Sequence, residues 1–217
     1  MQNLLKNLKA IFFDLDNVLV FSEEMHFKSW QEVVKQFGID PNQLHFQNLI
    51  GIADSKQAQL LKTQFNVQED ANLLWELKRK SFSSLIQQGF TAPLGRNEFL
   101  SKVSQKFITG VVSSSGNHVI QEILSLEKIT NFFKFVIGHE DCSKHKPDPL
   151  PYLKALEIAR VEPHEALVVE DSMSGILAAQ KAEIPVIGIL KDQTPDQLLP
   201  NVKYFTSFNE VNHWLYG

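Results

Sequence analysis

From residue 92 onward, short apolar runs alternate with amphipathic stretches, and this alternation restricts the possible folds more than any other feature of the chain. The runs at 108–112, 135–137, 166–169 and 186–189 are too short for helices. They are also too uniformly apolar for strands with one face in water. Between them, 119–126, 150–159 and 175–182 repeat their apolar residues at helical spacing, and a further helix is expected over 98–105. One more apolar run, 8–13, opens the pattern. A short strand near 204–205 and a helix at 211–215 close it. Buried strands separated by helices pair in parallel through right-handed crossovers. The expected fold is therefore α/β, with a Rossmann-like doubly wound parallel sheet as its core.

The stretch between the first strand and residue 92 reads differently. Met25, Phe27, Trp30, Val33, Val34 and Phe37 fall at helical spacing, and Gly38 follows as a C-cap. Beyond it the chain is rich in Gln, Leu, Lys and Ser and carries no strand pattern. Asp40-Pro41, Gly51 and Asn66 divide it into three or four further helices. The expected organisation is a core of residues 1–20 and 92–217 interrupted by an all-helical cap, 21–91.

Composition narrows the function. A hydrophobic content of 43% in 217 residues supports a sizeable core. The formal charge of −4, with lysines and arginines scattered, argues against nucleic acid or anionic membrane as partner. The apolar start ends after a few residues at two aspartates, so neither a signal peptide nor a spanning helix is expected there. The single cysteine, Cys142, excludes an internal disulfide framework and fits a reducing, cytoplasmic setting. Motifs for pyridoxal, flavin or nucleotide cofactors and P-loops are absent. A monomer is the default.

The chemistry concentrates at strand ends. In Phe12-Phe13-Asp14-Leu15-Asp16-Asn17, two carboxylates stand where the first apolar run gives out. Ser113 follows the run ending at Val112, Lys146 lies in Lys144-His145-Lys146-Pro147-Asp148-Pro149, and Glu170-Asp171 follow Val169. A parallel sheet brings all of these to one rim, where open α/β sheets bind ligands. Asp14 and Asp171 can ligate a hard divalent cation, and Mg²⁺ suits a site of few carboxylates, retained waters and a substrate phosphate. Ser113 and the amides after it can donate to phosphate oxygens, and Lys146 can offset the shared negative charge.

In this order the four motifs resemble those of the haloacid dehalogenase superfamily, along nearly the whole chain. The segment Glu24-Met25-His26-Phe27-Lys28-Ser29-Trp30 is further similar to the group of β-phosphoglucomutases and sugar-phosphate phosphatases. The resemblance implies a phosphatase in which Asp14 is the nucleophile and forms an aspartyl-phosphate, while Asp16 is the general acid and base. It implies Mg²⁺ held among Asp14, the backbone carbonyl of Asp16, and Asp171, with Glu170 supporting the metal group. It also implies a catalytic part for Ser113 and Lys146, and substrate contacts from Ser114, Ser115 and Asn117 and, in the cap, from His26 and Lys80. The expected partner is a small phosphorylated metabolite.

Four positions depart from the group's pattern. Asn17 replaces a glycine, and Phe21 stands where a small or acidic residue is common. Asp54 and Gly116 fall where related mutases carry an arginine and a lysine for a second phosphate. Losing a cation and gaining an anion there favours hydrolysis over mutase chemistry. A phosphosugar mutase and, from another class, a non-catalytic binding module on the same fold are the alternatives. Dehalogenation fits less well, because Asp16 and the acidic metal group belong to the phosphatase pattern.

Overall fold

The computed structural model describes residues 6–45, 49, 52, 54–190 and 198–217; Gly51, one of the expected helix breaks, lies outside them. The chain divides into two compact units, Met1–Phe21 with Thr91–Gly217, and Ser22–Phe90.

Among the described residues the first unit holds six strands: β1 (Ala10–Phe13), β2 (Ile108–Val112), β3 (Phe135–Ile137), β4 (Ala166–Glu170), β5 (Val186–Ile189) and β6 (Lys203–Phe205). They form one sheet in the order β3-β2-β1-β4-β5-β6, parallel at every pairing. Register is fixed at the centre, where Phe12 lies between Gly110 and Val168. Alternation along β1 sends Phe12 and Phe13 to opposite faces. Phe12 joins a core of Val112, Tyr152, Ala155, Val168, Ala178 and Ala179, which belongs to the face covered by α6 (Leu150–Ala159) and α7 (Met173–Lys181). Phe13 packs on Phe99 of α4 (Arg96–Val103) and Phe208 of α8 (Phe208–Tyr216). Both rings are fully buried, each contributing about 1.5–3 kcal/mol by leaving water. Helices on both faces explain why the strands read as continuous apolar runs.

The second unit contains α1 (Glu23–Gln36), α2 (Asp54–Gln64) and α3 (Ala71–Leu85). Its own core gathers Trp30, Val33, Val34, Ala58, Leu61 and Leu74. Gln57 is buried within it, accepting from the Trp30 indole and donating to the carbonyls of Leu49 (2.6 Å) and Ile52 (2.8 Å). A buried amide with both ends partnered avoids the desolvation cost of an unmet polar group. The remaining helix, α5 (Asn117–Leu126), follows β2 in the first unit. No described helix is long and apolar enough to cross a membrane.

Candidate active site

The strand order reverses direction between β1 and β4: β2 and β3 extend the sheet to one side, β5 and β6 to the other. Outside the carboxyl ends of such a pair the crossovers diverge and leave a crevice. Asp14 leaves β1 here, and its N–H donates to Val169 of β4 at 2.9 Å. Glu170 ends β4 and Asp171 follows it.

Lys146 joins these carboxylates. Its Nζ donates to Asp14 Oδ1 and Glu170 Oε1, each at 2.6 Å, and to the carbonyl of Val112 at 2.8 Å. The ammonium is almost fully buried, and three acceptors satisfy its three N–H groups. Glu170 is wholly buried and serves five donors. Oε1 also accepts from the Tyr152 hydroxyl at 2.9 Å. Oε2 accepts from the amides of Asp171 and Ser172 and from the Ser172 hydroxyl, at 3.0–3.1 Å. The last three come from the start of α7, where Ser172 is the N-cap, accepting from Gly175 at 3.1 Å. A helix N-terminus favours an anion, and here it holds the Glu170 carboxylate.

The other expected residues of this unit distribute around that centre. Ser115 Oγ donates to Asp16 Oδ2 at 3.0 Å. Ser113 is buried and accepts from the Ser115 amide at 3.0 Å, so its hydroxyl shapes the turn after β2. Asn17 donates from Nδ2 to Asp171 Oδ2 at 3.0 Å. Ser114 is exposed. Asn117 is drawn toward the turn at His139–Asp141, where its amide N–H donates to Glu140 at 2.8 Å and its side chain bonds Asp141.

Asp14 and Glu170 thus share one lysine, with the Asp171 carboxylate close beside them. Burial drives the Asp14 carboxyl up to about 8; Lys146 opposes the rise, while Glu170 and Asp16 add to it. Burial would lower Lys146, yet Asp14 and Glu170 outweigh it and hold this amine well above the ordinary lysine range. The Tyr152 phenol is likewise raised, by burial and then by Glu170. Two causes account for these directions, burial first and then an excess of negative charge around one lysine. A proton on Asp14 relieves that excess, and so would a divalent cation. The donor chemistry fits a cation, for Asp14, Glu170 and Asp171 offer carboxylate oxygens within 4.8 Å of one another.

In the helical unit, His26 of α1 meets Lys78 of α3, two residues before the expected substrate contact Lys80. Lys78 Nζ lies 2.6 Å from His26 Nδ1 and 2.5 Å from Asp54 Oδ2, and beneath it is the Phe82 ring, on which His26 stacks. Lys78 is 1% exposed, whereas Lys80 points to solvent. The signal was present in the sequence: Leu74, Lys78 and Phe82, the buried residues of α3, stand at i, i+4 and i+8. Tyr152 also escaped the sequence reading, although it lies on the apolar stripe of α6 and needs a partner for its hydroxyl there.

A buried aspartate, lysine and glutamate at the switch point of a doubly wound sheet define a carboxylate-based enzyme site. Residues 11–189 match the haloacid dehalogenase-like hydrolase family, and the chain belongs to that family. Among its relatives, the phosphorylated carbohydrates phosphatase of Thermotoga maritima is 26% identical over 82% of each chain. The β-phosphoglucomutase of Bacillus subtilis is 27% identical over 86% of this chain and 85% of its own. The crystal structure of CbbY from Rhodobacter sphaeroides in complex with phosphate superposes with a TM-score of 0.81, at 20% identity, over 94% of this chain and 96% of that one. This last likeness is one of fold.

Proposed function

We propose that the protein is a Mg²⁺-dependent phosphomonoester phosphatase acting on a small phosphorylated carbohydrate. The observation that carries this reading is the Asp14–Lys146–Glu170 cluster at the sheet's switch point. The family and the phosphatases among its relatives support it.

In this mechanism Asp14 attacks the phosphorus of the substrate, and Asp16 gives its proton to the departing alcohol oxygen. The phosphoryl group is then carried on Asp14. Asp16, now ionised, takes a proton from a water that attacks the same phosphorus, and inorganic phosphate leaves as the Asp14 carboxylate is restored. Lys146, fixed by Glu170 and Val112, reduces the repulsion between an anionic nucleophile and an anionic substrate. Ser115 orients Asp16. Asp14, the backbone carbonyl of Asp16, and Asp171 would hold Mg²⁺, with Glu170 as their support. When bound, the cation would neutralise phosphate charge and keep Asp14 ionised.

The mutase reading has a relative in its favour. The pairing of Asp54 with Lys78 weighs against it, because the pair offers a second phosphate no net positive charge. The test is phosphate release by purified protein with Mg²⁺ over a panel of sugar, polyol and nucleotide monophosphates, beside Asp14→Asn. Release from a carbohydrate phosphate that vanishes in the variant is the expected result. Release that persists in the variant would remove Asp14 as nucleophile, and conversion of a sugar phosphate into its isomer without release would favour the mutase.

A further inference from the structure

Asn17 follows the two aspartates with φ of +58°, a left-handed conformation that asparagine tolerates and glycine adopts freely. A glycine would satisfy the backbone. The side chain must therefore be explained by what it touches. Its Nδ2 donates to Asp171 Oδ2 at 3.0 Å, tying the ends of β1 and β4 together across 154 residues of sequence. Because a carboxylate only accepts, this bond fixes which end of the amide faces Asp171 and leaves Oδ1 as the other end. The residue is 9% exposed, and Oδ1 is buried with no hydrogen-bond partner among the described residues. A buried carbonyl oxygen without a donor gives up its bonds to water for nothing in return. Beside a carboxylate cluster able to hold a cation, the donor that matches it is a water of the cation's own hydration shell.

We propose that Asn17 is a positioning residue for the divalent cation: its amide confines Asp171 to ligation through one oxygen, and its Oδ1 accepts from the cation's hydration water. The inference rests on the divalent-cation reading above and extends it to selectivity. Mg²⁺ keeps several waters and near-octahedral geometry, whereas Ca²⁺ takes more oxygens and accepts carboxylates through both. A clamp on one oxygen of Asp171, together with an acceptor for a retained water, favours the smaller ion.

The experiment is calorimetric titration of the metal-stripped full chain with MgCl₂ and, separately, CaCl₂, using wild type, Asn17→Gly and Asn17→Asp. Glycine suits the positive φ and removes both contacts. Aspartate keeps an acceptor but loses the N–H that holds Asp171. In Asn17→Gly, Mg²⁺ should bind about tenfold more weakly or worse, the range found for groups that orient metal ligands, with Ca²⁺ affected less. In both variants the preference for Mg²⁺ over Ca²⁺ should fall. Unfolding curves in chelator report whether each variant is folded, so that affinity is compared only between folded proteins. Wild type that binds Mg²⁺, with a folded variant whose Mg²⁺ affinity and preference stay within twofold of it, would overturn the role of Asn17 alone. Wild type that binds neither cation would overturn the divalent-cation reading and this inference with it.

Discussion

As the proposed nucleophile, Asp14 carries two opposed demands, since a nucleophile must be ionised and a buried carboxyl resists ionisation. Folding raises its pKa to about 8, with burial as the leading cause, whereas an unfolded chain releases that proton near pH 4. The protonated group therefore contributes stability that is complete below about pH 4 and is lost as pH climbs through about 8. In excess chelator, the melting temperature should fall more steeply between pH 5 and pH 8 in wild type than in Asp14→Asn, as scanning calorimetry would show. Parallel slopes would mean that Asp14 is already ionised in the folded protein. With Mg²⁺ present, the same variant should lose at least about a thousandfold in turnover while remaining folded. At this scale the convergence of Asp14, Lys146, Glu170 and Asp171 on one rim was legible, because strand ends announce themselves where apolar runs stop. The sequence did not reveal that Glu170 has both oxygens occupied by five donors, or that Asn117 turns toward Glu140 and Asp141. Those outcomes depend on side-chain directions across elements far apart in sequence, and no spacing encodes them.

The elements supply what single residues cannot, a fixed frame around buried charge. At the start of α7, a Cβ on Gly175 would lie 1.7 Å from Glu170 Oε1, and Glu170 is held by too many donors to retreat. Gly→Ala inside a helix ordinarily stabilises by up to about 1 kcal/mol. Here Gly175→Ala should instead destabilise by about 1–3 kcal/mol, the range for overpacked sites. Urea unfolding gives the sign directly, and a stabilised variant would show that α7 can shift away from Glu170. In α3 the contrast lies between neighbouring lysines. Asp54→Asn removes the Asp54 carboxylate from the buried Lys78. The expected loss is about 1–3 kcal/mol, below the full value for a buried pair because Asp54 is itself about a third exposed. Lys80→Ala should stay within about 0.5 kcal/mol. Thermal unfolding of the pair would separate them, and equal losses would undo the assignment of Lys78 as the buried cation. The Lys78-Arg79-Lys80 run hid this difference, since three basic residues look alike until the helix phase is set by Leu74 and Phe82.

Across the whole molecule, the parallel sheet was legible because strands buried on both faces leave uninterrupted apolar runs, and crossover rules then allow few topologies. Strand order was not legible; it depends on which side of β1 each crossover returns to, which only the folded chain displays. The same architecture sets out how the helical unit is inserted. The Phe21 N–H donates to the Thr91 carbonyl at 2.9 Å, and the two residues form an antiparallel bridge within the first unit. Residues opposed in such a bridge have Cα atoms about 4.5–5.5 Å apart, a gap that a hairpin-like loop of a few residues closes. Among the described residues, the core around Phe12 and the rings packed on Phe13 come from the first unit, while Trp30 and Leu74 belong to a separate cluster. Replacing residues 22–90 with a short Gly-Ser loop should therefore leave a protein that unfolds cooperatively in urea and is still stabilised by Mg²⁺, because Asp14, Asp16, Lys146, Glu170 and Asp171 all remain. Its discrimination among phosphate esters should fall, as expected if the helical unit supplies substrate choice and excludes water. A shortened chain without a cooperative transition would show that the sheet needs the helical unit to fold. One that folds, binds Mg²⁺ and keeps the full substrate preference would place specificity in the first unit.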